Sequence, residues 1–294
     1  MTPPAKVAHQ FVTANGIRFH VVHAGTVGPA VMLLHGFPQH AHAWRHVIAQ
    51  LASDHRVYAV DLRGAGTSDA PRRGYDTATR VADVLALLDE LQLPTVHLAG
   101  HEWGGWLAFH VALKAPARIT SLTAINTPHP WVPLSRMLPQ MWRAWYTALL
   151  EYPVLGSYVL QHWPGLTRWL LRRGRPQLPP SELAIYVEPT REPARARAGQ
   201  QLHWRFVCHD IPARILGRWR GAALSMPTLV LCSTHDFALS KRCAVPAPQQ
   251  VPDMQVLLLH GGHWLPEEAP STVATTIRNS TGSHQSHDEP TIYD

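Results

Sequence analysis

The chain has 294 residues, of which 46% are hydrophobic and 16% charged, against a usual charged share of about a quarter. That balance excludes a disordered polymer and supplies enough apolar residues for a large core. No apolar run approaches the ~20 residues that cross a bilayer, and the first ten residues hold two prolines and no apolar stretch, so neither a membrane span nor a secretory signal is expected.

Cys208, Cys232 and Cys243 are odd in number and lack paired spacing, which predicts a reduced, cytoplasmic setting without disulfides. The formal charge is +6, but Trp131 to Arg220 carries 13 arginines, no lysine and five acids, together with seven of the 11 tryptophans. Such a stretch is either a set of solvated helix faces or a lid that attracts an anion. It contains no recognisable nucleic-acid module, so nucleic-acid binding is not expected. Among the 20 histidines, the pairs His40/His42, His260/His263 and His284/His287 lack further ligands at metal-site spacings. No metal and no cofactor are predicted.

In chain order, Gln10–Thr13 and Ile17–Val22 alternate around Ala14-Asn15-Gly16, a hairpin signal. Ala30–Leu34 reads as a buried strand running into His35-Gly36-Phe37-Pro38. Ala43–Leu51 has helical spacing and Val57–Val60 is the next strand. Val81, Val84, Leu85 and Leu88 mark an amphipathic helix over Val81–Leu91. Val96–Ala99 is a strand that enters Gly100-His101-Glu102-Trp103-Gly104-Gly105 and another apolar helix, and Ile119–Ile125 is a strand. From about Pro128 to Gly221 the alternation stops, with helices predicted at Met141–Leu150, Leu166–Arg173 and Ala194–Val207. Strands resume at Thr228–Leu231 and Gln255–Leu259, with a helix near Ser271–Arg278. The pattern predicts an α/β fold with a mostly parallel sheet: a core of 1–127 and 222–280, an inserted helical cap over 128–221, and a mobile tail within Asn279–Asp294, chiefly 281–294.

Three segments follow strand C-termini, where open α/β sheets place their ligands. One is the glycine-flanked turn that carries Glu102, where a tight strand–turn–helix thrusts one side chain upward. The others are Ser233-Thr234-His235-Asp236 and His260-Gly261-Gly262-His263-Trp264. A group at the elbow, then an acid, then a histidine is the chain order of a nucleophile–acid–histidine triad.

With these motifs the sequence, from about Gln10 to Arg278, resembles the α/β-hydrolase family and, within it, the epoxide hydrolase and haloalkane dehalogenase branch. His35-Gly36-Phe37-Pro38 resembles the family's oxyanion loop, usually with a cis bond before the proline. Asp61-Leu62-Arg63-Gly64-Ala65-Gly66-Thr67-Ser68-Asp69 is similar to its loop after the next strand. The elbow resembles the epoxide hydrolases' Gly-His-Asp-Trp-Gly-Gly, and Asn126-Thr127-Pro128-His129-Pro130 the opening of their cap. The resemblance implies an α/β-hydrolase fold, Asp236 as the acid, His263 as the water-activating base, and the N–H groups of Phe37 and Trp103 as the oxyanion hole.

Two departures stand out. The family's nucleophile is aspartate, whereas this chain has Glu102, roughly 1.5 Å longer; a misplacement of about 1 Å can cost on the order of 100-fold. Glu102 is therefore either a recut nucleophile or a general acid or base. The family also uses two cap tyrosines on the epoxide oxygen. Trp145-Tyr146 before Tyr152-Pro153 resembles the segment with one of them, which makes Tyr146 the candidate acid and Trp145 a substrate-binding candidate. In Gln201-Leu202-His203-Trp204-Arg205-Phe206 the second is missing. His203, a donor if its pKa stays near neutral, or Trp204, which can only donate a hydrogen bond, takes its place. The indole of Trp103 is a further candidate for the pocket wall.

Three functions follow. The first is an epoxide-hydrolase-like enzyme acting through Glu102, His263 and Asp236 on a small to medium, largely apolar molecule, in specialised metabolism. The second is a non-covalent acid–base catalyst, such as a cyclase, and the third a small-molecule-binding protein without turnover. The expected partner is a small-molecule substrate, not nucleic acid or a membrane, and a homodimer is left open.

Overall fold

Asn15 and Gly16 both take positive φ, 45° and 77°, the conformation of a two-residue hairpin turn. They join β1 (Ala8–Ala14) to β2 (Ile17–Ala24) in antiparallel register. A computed structural model of the chain describes residues 7–282. In it β3 (Ala30–Leu34), β4 (Arg56–Val60), β5 (Val96–His101), β6 (Ile119–Ile125), β7 (Thr228–Ser233) and β8 (Met254–Leu259) extend the hairpin into one sheet. The order is β1-β2-β4-β3-β5-β6-β7-β8; β2 meets β4 antiparallel, and every later pairing is parallel. β3 and β5 are buried along their whole length, as strands covered on both faces must be.

Helices cover both faces. α1 (Arg45–Leu51), entered through the 3-10 turn Ala41–Trp44, lies on one face, and α2 (Thr77–Glu90) and α3 (Trp103–Lys114) on the other. Between β6 and β7 come α4 (Leu134–Met137), the 3-10 segment Leu138–Ala144, α5 (Thr147–Glu151), α6 (Leu155–His162), α7 (Pro164–Gly174), α8 (Pro180–Arg191), α9 (Pro193–Arg205), a π-turn at Phe206–Asp210 and α10 (Ile211–Ile215). After β8, α11 (Leu265–Glu268) leads into α12 (Pro270–Gly282), which packs with α1. The chain runs from β3 outward to β4 on one side and returns to β5 on the other, so the loops after β3 and β5 diverge over adjacent strand ends. That is the switch point where such sheets open a crevice.

The inserted stretch departs from the sequence reading in detail. The helix expected over Met141–Leu150 is a 3-10 segment followed by the short α5; Pro139, without an N–H, sits in the first turn of that segment and favours the tighter winding. α6 and α8 were not expected, because Pro153, Pro179, Pro180 and Pro189 mask their periodicity. At the C-terminus, Asn279–Gly282 belong to α12 rather than to a tail; the rest of the expected tail, with His284 and His287, lies outside the described residues.

The loop after β4 is tied to α2 by Arg63, whose Nη2 and Nε meet Asp83 Oδ1 and Oδ2 at 2.6 and 2.7 Å. Asp83 Oδ1 also accepts from Asn15 Nδ2 at 2.7 Å, so one carboxylate joins α2, the hairpin turn and the β4 loop. Removing one partner of a buried pair strands the other charge at a cost of about 3–5 kcal/mol. Asp83→Ala should lower the urea midpoint accordingly with an unchanged m-value, and Asp83→Asn by less; an unaltered midpoint in Asp83→Ala would contradict this account.

Candidate active site

β5 turns into α3 within one residue. Glu102 takes φ 51° and ψ −115°, a strained conformation for a side-chain-bearing residue. Its N–H donates to Ile125 O at 2.9 Å and its carbonyl accepts from the Trp106 N–H at 3.0 Å, which hold the turn from both ends. The turn is so tight that a Cβ on Gly104 would lie 2.2 Å from the carbonyl oxygen of Leu34. Gly36 answers the extra methylene of Glu102: a Cβ there would stand 2.3 Å from Glu102 Oε2 and 2.7 Å from its Cβ.

The Glu102 carboxylate reaches across from β5 to the loop after β3. Its Oε2 accepts from the Phe37 N–H at 2.6 Å, and the Trp103 N–H also bonds to the carboxylate. The Phe37–Pro38 peptide is cis. His35 fixes this loop: its Nδ1 donates to Gly36 O at 2.9 Å while its Nε2 accepts from the Leu62 N–H at 2.9 Å. Burial holds His35 down to about 4, so it stays neutral at pH 7. Burial pushes Glu102 the other way, up to about 7, against the opposing pull of His263, the two N–H groups and Arg80.

His263 Nδ1 donates to Asp236 Oδ2 at 2.9 Å, and Asp236 Oδ1 accepts from the N–H groups of Ala238 and Leu239 at 2.7 and 3.0 Å. Burial alone would lower the His263 pKa, but the charge and hydrogen bond of Asp236, with help from Glu102 and Glu268, leave it raised. The His263 loop is secured by residues to which the sequence reading gave no catalytic role. Glu268 accepts from the N–H groups of Gly262 and Trp264, each at 2.7 Å. Asn126, at φ 46° beyond β6, gives its Nδ2 to Ser233 Oγ, Gly262 O and His263 O and accepts from the Ser233 N–H. His101 Nε2 donates to the same His263 carbonyl at 2.8 Å. The signal for Asn126 was its place: a polar residue able to take positive φ immediately after an apolar strand.

The inserted helices bring the remaining candidates in. Tyr146 is buried, with Phe237 and Trp169 about its ring at 6.2 and 5.9 Å. Burial and the charges of Glu102 and Asp236 raise its pKa, so the phenol keeps its proton. Trp145 instead is 57% exposed and packs on Trp169. His203 and not Trp204 faces the elbow: its ring stands edge-on to Phe37 and Trp103 at 5.0 and 5.2 Å, whereas Trp204 has no ring contact among the described residues. His203 Nδ1 donates to Gly199 O at 2.8 Å, and burial lowers its pKa to about 4. That is far from the near-neutral value a proton donor needs; the ring is neutral and its Nε2 carries a lone pair. The π-turn after α9 re-aims Phe206 onto Trp103, at 4.8 Å, a use of such turns that recurs at functional sites.

Comparison with known proteins identifies the fold family. A family model described as alpha/beta hydrolase fold matches residues 29–270. The chain is 31% identical to epoxide hydrolase 4 of Mus musculus over 93% of this chain and 79% of that one. It is 30% identical to the AB hydrolase superfamily protein YfhM of Bacillus subtilis, over 91% and 96% of the two chains. Among solved structures, Cfl2 of Burkholderia cenocepacia superposes with a TM-score of 0.82 at 28% identity, over 92% of this chain and 94% of that one. Epoxide hydrolase CorEH superposes at 0.84 and 24% identity, over 95% and 100%, a likeness of fold.

The raised Glu102 pKa has a consequence for stability. A carboxyl whose folded pKa of about 7 lies above its ordinary 4.5 contributes stability that is fully present below the lower value and lost as pH rises through the higher one. Glu102→Gln does not titrate. Its melting temperature should therefore gain on that of the wild type between about pH 5 and 8 and then run parallel; a difference that stays flat across this range would place the Glu102 pKa near its ordinary value.

Proposed function

Because the chain belongs to the α/β-hydrolase fold family, and within it is an enzyme resembling the epoxide hydrolases, we propose that it opens epoxides through a covalent ester on Glu102. The observation that carries this reading is the carboxylate's own hydrogen bonding. Oε2 accepts from the Phe37 N–H and the Trp103 N–H also bonds to the carboxylate, which puts donors where an oxyanion will form and favours Oε1 as the attacking oxygen.

In the first step Glu102 Oε1 attacks an epoxide carbon, the C–O bond breaks, and the alkoxide takes the proton of Tyr146. In the second, His263 removes a proton from water and the hydroxide adds to the ester carbonyl carbon. The negative oxygen rests on the Phe37 and Trp103 N–H groups while Asp236 stabilises the imidazolium. Collapse expels the alkoxide of the vicinal diol, which takes the proton of the newly formed Glu102 carboxylic acid, and the proton on His263 returns to the Tyr146 phenolate. A neutral His203 supports a single proton donor here, in place of the family's two tyrosines; it acts as a hydrogen-bond acceptor beside the reacting groups. The aromatic walls formed by Phe37, Trp103, Phe206 and Phe237 support a small, largely apolar substrate body.

A second reading is supported by the Glu102 pKa of about 7: a carboxyl poised there is suited to move protons, so that Glu102 and His263 would drive an intramolecular ring closure without an ester. Single turnover of an epoxide panel in ¹⁸O-labelled water separates the two. The covalent route puts label into the peptide containing Glu102, and His263→Gln should accumulate an alkylated form of that peptide. Product without label or added mass would overturn it. Glu102→Gln should abolish turnover on either reading, and Tyr146→Phe should slow ester formation by roughly 10²–10⁴, the usual worth of a positioned acid. Both reactive groups must lose a proton to act, Glu102 to attack and His263 to accept, so the rate should climb as pH rises through about 7.

A further inference from the structure

Arg80, on α2, is 5% exposed, yet its guanidinium makes no hydrogen bond and no ion pair with any described residue. The carboxylates whose charge reaches it are committed elsewhere. Asp83 holds Arg63 and Asn15; Asp76 caps α2 through the Thr79 N–H and hydroxyl; Asp210 takes the Thr77 hydroxyl and the Trp106 indole; and Glu102 sits in its own N–H pair. Burial pulls the Arg80 pKa down only to about 10, so the side chain is a cation at neutral pH. A buried, unpaired charge is costly and is not retained for stability.

Arg80 is among the residues lining a cavity of about 50 Å³ between the loops after β3 and β4, α8 and α9. On a comparable measure one water needs about 10–15 Å³, so a group of several heavy atoms fits. Two residues of its lining carry polar atoms that have no partner and are closed off even from water. Gln39, 2% exposed, leaves both Nε2 and Oε1 unbonded, and the buried indole N–H of Trp103 has no acceptor. The cavity's other two arginines are satisfied, Arg63 by Asp83 and Arg195 by Gly66 O and Glu192. No aspartate or glutamate lines it. Phe37 and Trp103, which flank the Glu102 carboxylate, form two of its walls.

We propose that this cavity is a carboxylate subsite in which Arg80 grips a carboxylate of the substrate with the planar fork of its guanidinium. The substrate class is then a short acid whose epoxide carbon reaches Glu102 over the Phe37–Trp103 wall, which rests on the reading of Glu102 as the reacting carboxylate. A buried cation without a partner, in a cavity lined by no carboxylate among the described residues, selects an anion over a cation or neutral group, and the fork geometry matches a carboxylate.

The test measures binding, which needs no turnover. The full-length protein is titrated calorimetrically with glycerate and with its uncharged counterpart glyceramide. Glycerate should bind at least tenfold more tightly to the wild type. Arg80→Met should bring the two within about twofold without a lower melting temperature, and Arg80→Lys, which restores the charge but not the fork, should fall between. Equal affinities in the wild type would overturn the proposal, as would a preference that survives Arg80→Met. Should Arg80→Met fail to fold, a crystal soaked in glycerate decides: its carboxylate on Arg80 supports the subsite, and its carboxylate elsewhere overturns it. Acid preference without label in the Glu102 peptide would defeat only the covalent reading; label without acid preference would defeat only the subsite.

Discussion

The hydrogen bond from the Phe37 N–H to Glu102 Oε2, 2.6 Å long, closes the gap between two adjacent parallel strands, and the arrangement of the site depends on it. β3 and β5 pair in register, so the loops that leave their C-terminal ends begin side by side and diverge. Glu102 crosses that divergence. Its φ of 51° lifts the side chain out of the sheet, and the missing Cβ of Gly36 admits the additional methylene. Strain in the elbow and the tight approach of Gly104 to Leu34 are sustained because β3, β5 and α3 are buried around them. A longer carboxylate thereby occupies the donor pair that a shorter one would fill from the same backbone position.

Around this contact the electrostatics are arranged in opposition. Burial drives Glu102 toward its neutral form, while His263, the two N–H groups and Arg80 favour its charge. Burial likewise opposes the charge on His263, and Asp236 outweighs it. Burial thus raises the carboxyl into the range of an ordinary imidazole, while Asp236 raises His263 above its own ordinary value. His35, His101 and His203 are buried without such a partner and are all held well below the usual imidazole value. These three rings are neutral hydrogen-bonding groups, whereas the charge and hydrogen bond of Asp236 raise His263.

The inserted helices and the sheet are joined by polar contacts at the site itself. The Trp264 indole donates to Leu171 O in α7 at 3.0 Å, and Arg143 donates to the carbonyl of Asp236. The π-turn at Phe206–Asp210 brings Phe206 onto Trp103 and Asp210 onto α2 through Thr77. These contacts make the aromatic walls part of the same rigid unit as the reactive groups. Several arginines of the insertion serve this role, among them Arg143 and Arg175, whereas Arg80, buried and without a partner among the described residues, belongs to α2.

The alternating strands and helices, the elbow at Glu102 and the later Asp236 and His263 were legible in the sequence, because each rests on local rules: apolar runs, small residues beside a tight turn, polar residues just past strand ends. Where proline interrupted periodicity, as in α6 and α8, local rules failed and packing among the inserted helices set them instead. The linear order also showed that Glu102 was too long for its family's position, but not how the excess is absorbed; that depends on Gly36, 66 residues earlier and adjacent only across β3 and β5. The choice between His203 and Trp204 turned on which face of α9 meets Phe37, and the isolation of Arg80 on three aspartates finding other partners. Such properties belong to pairs of residues distant in the chain. Sequence thus determined which chemical groups reach the strand ends, and tertiary structure alone decided their charge, their partners and which of them were left without one.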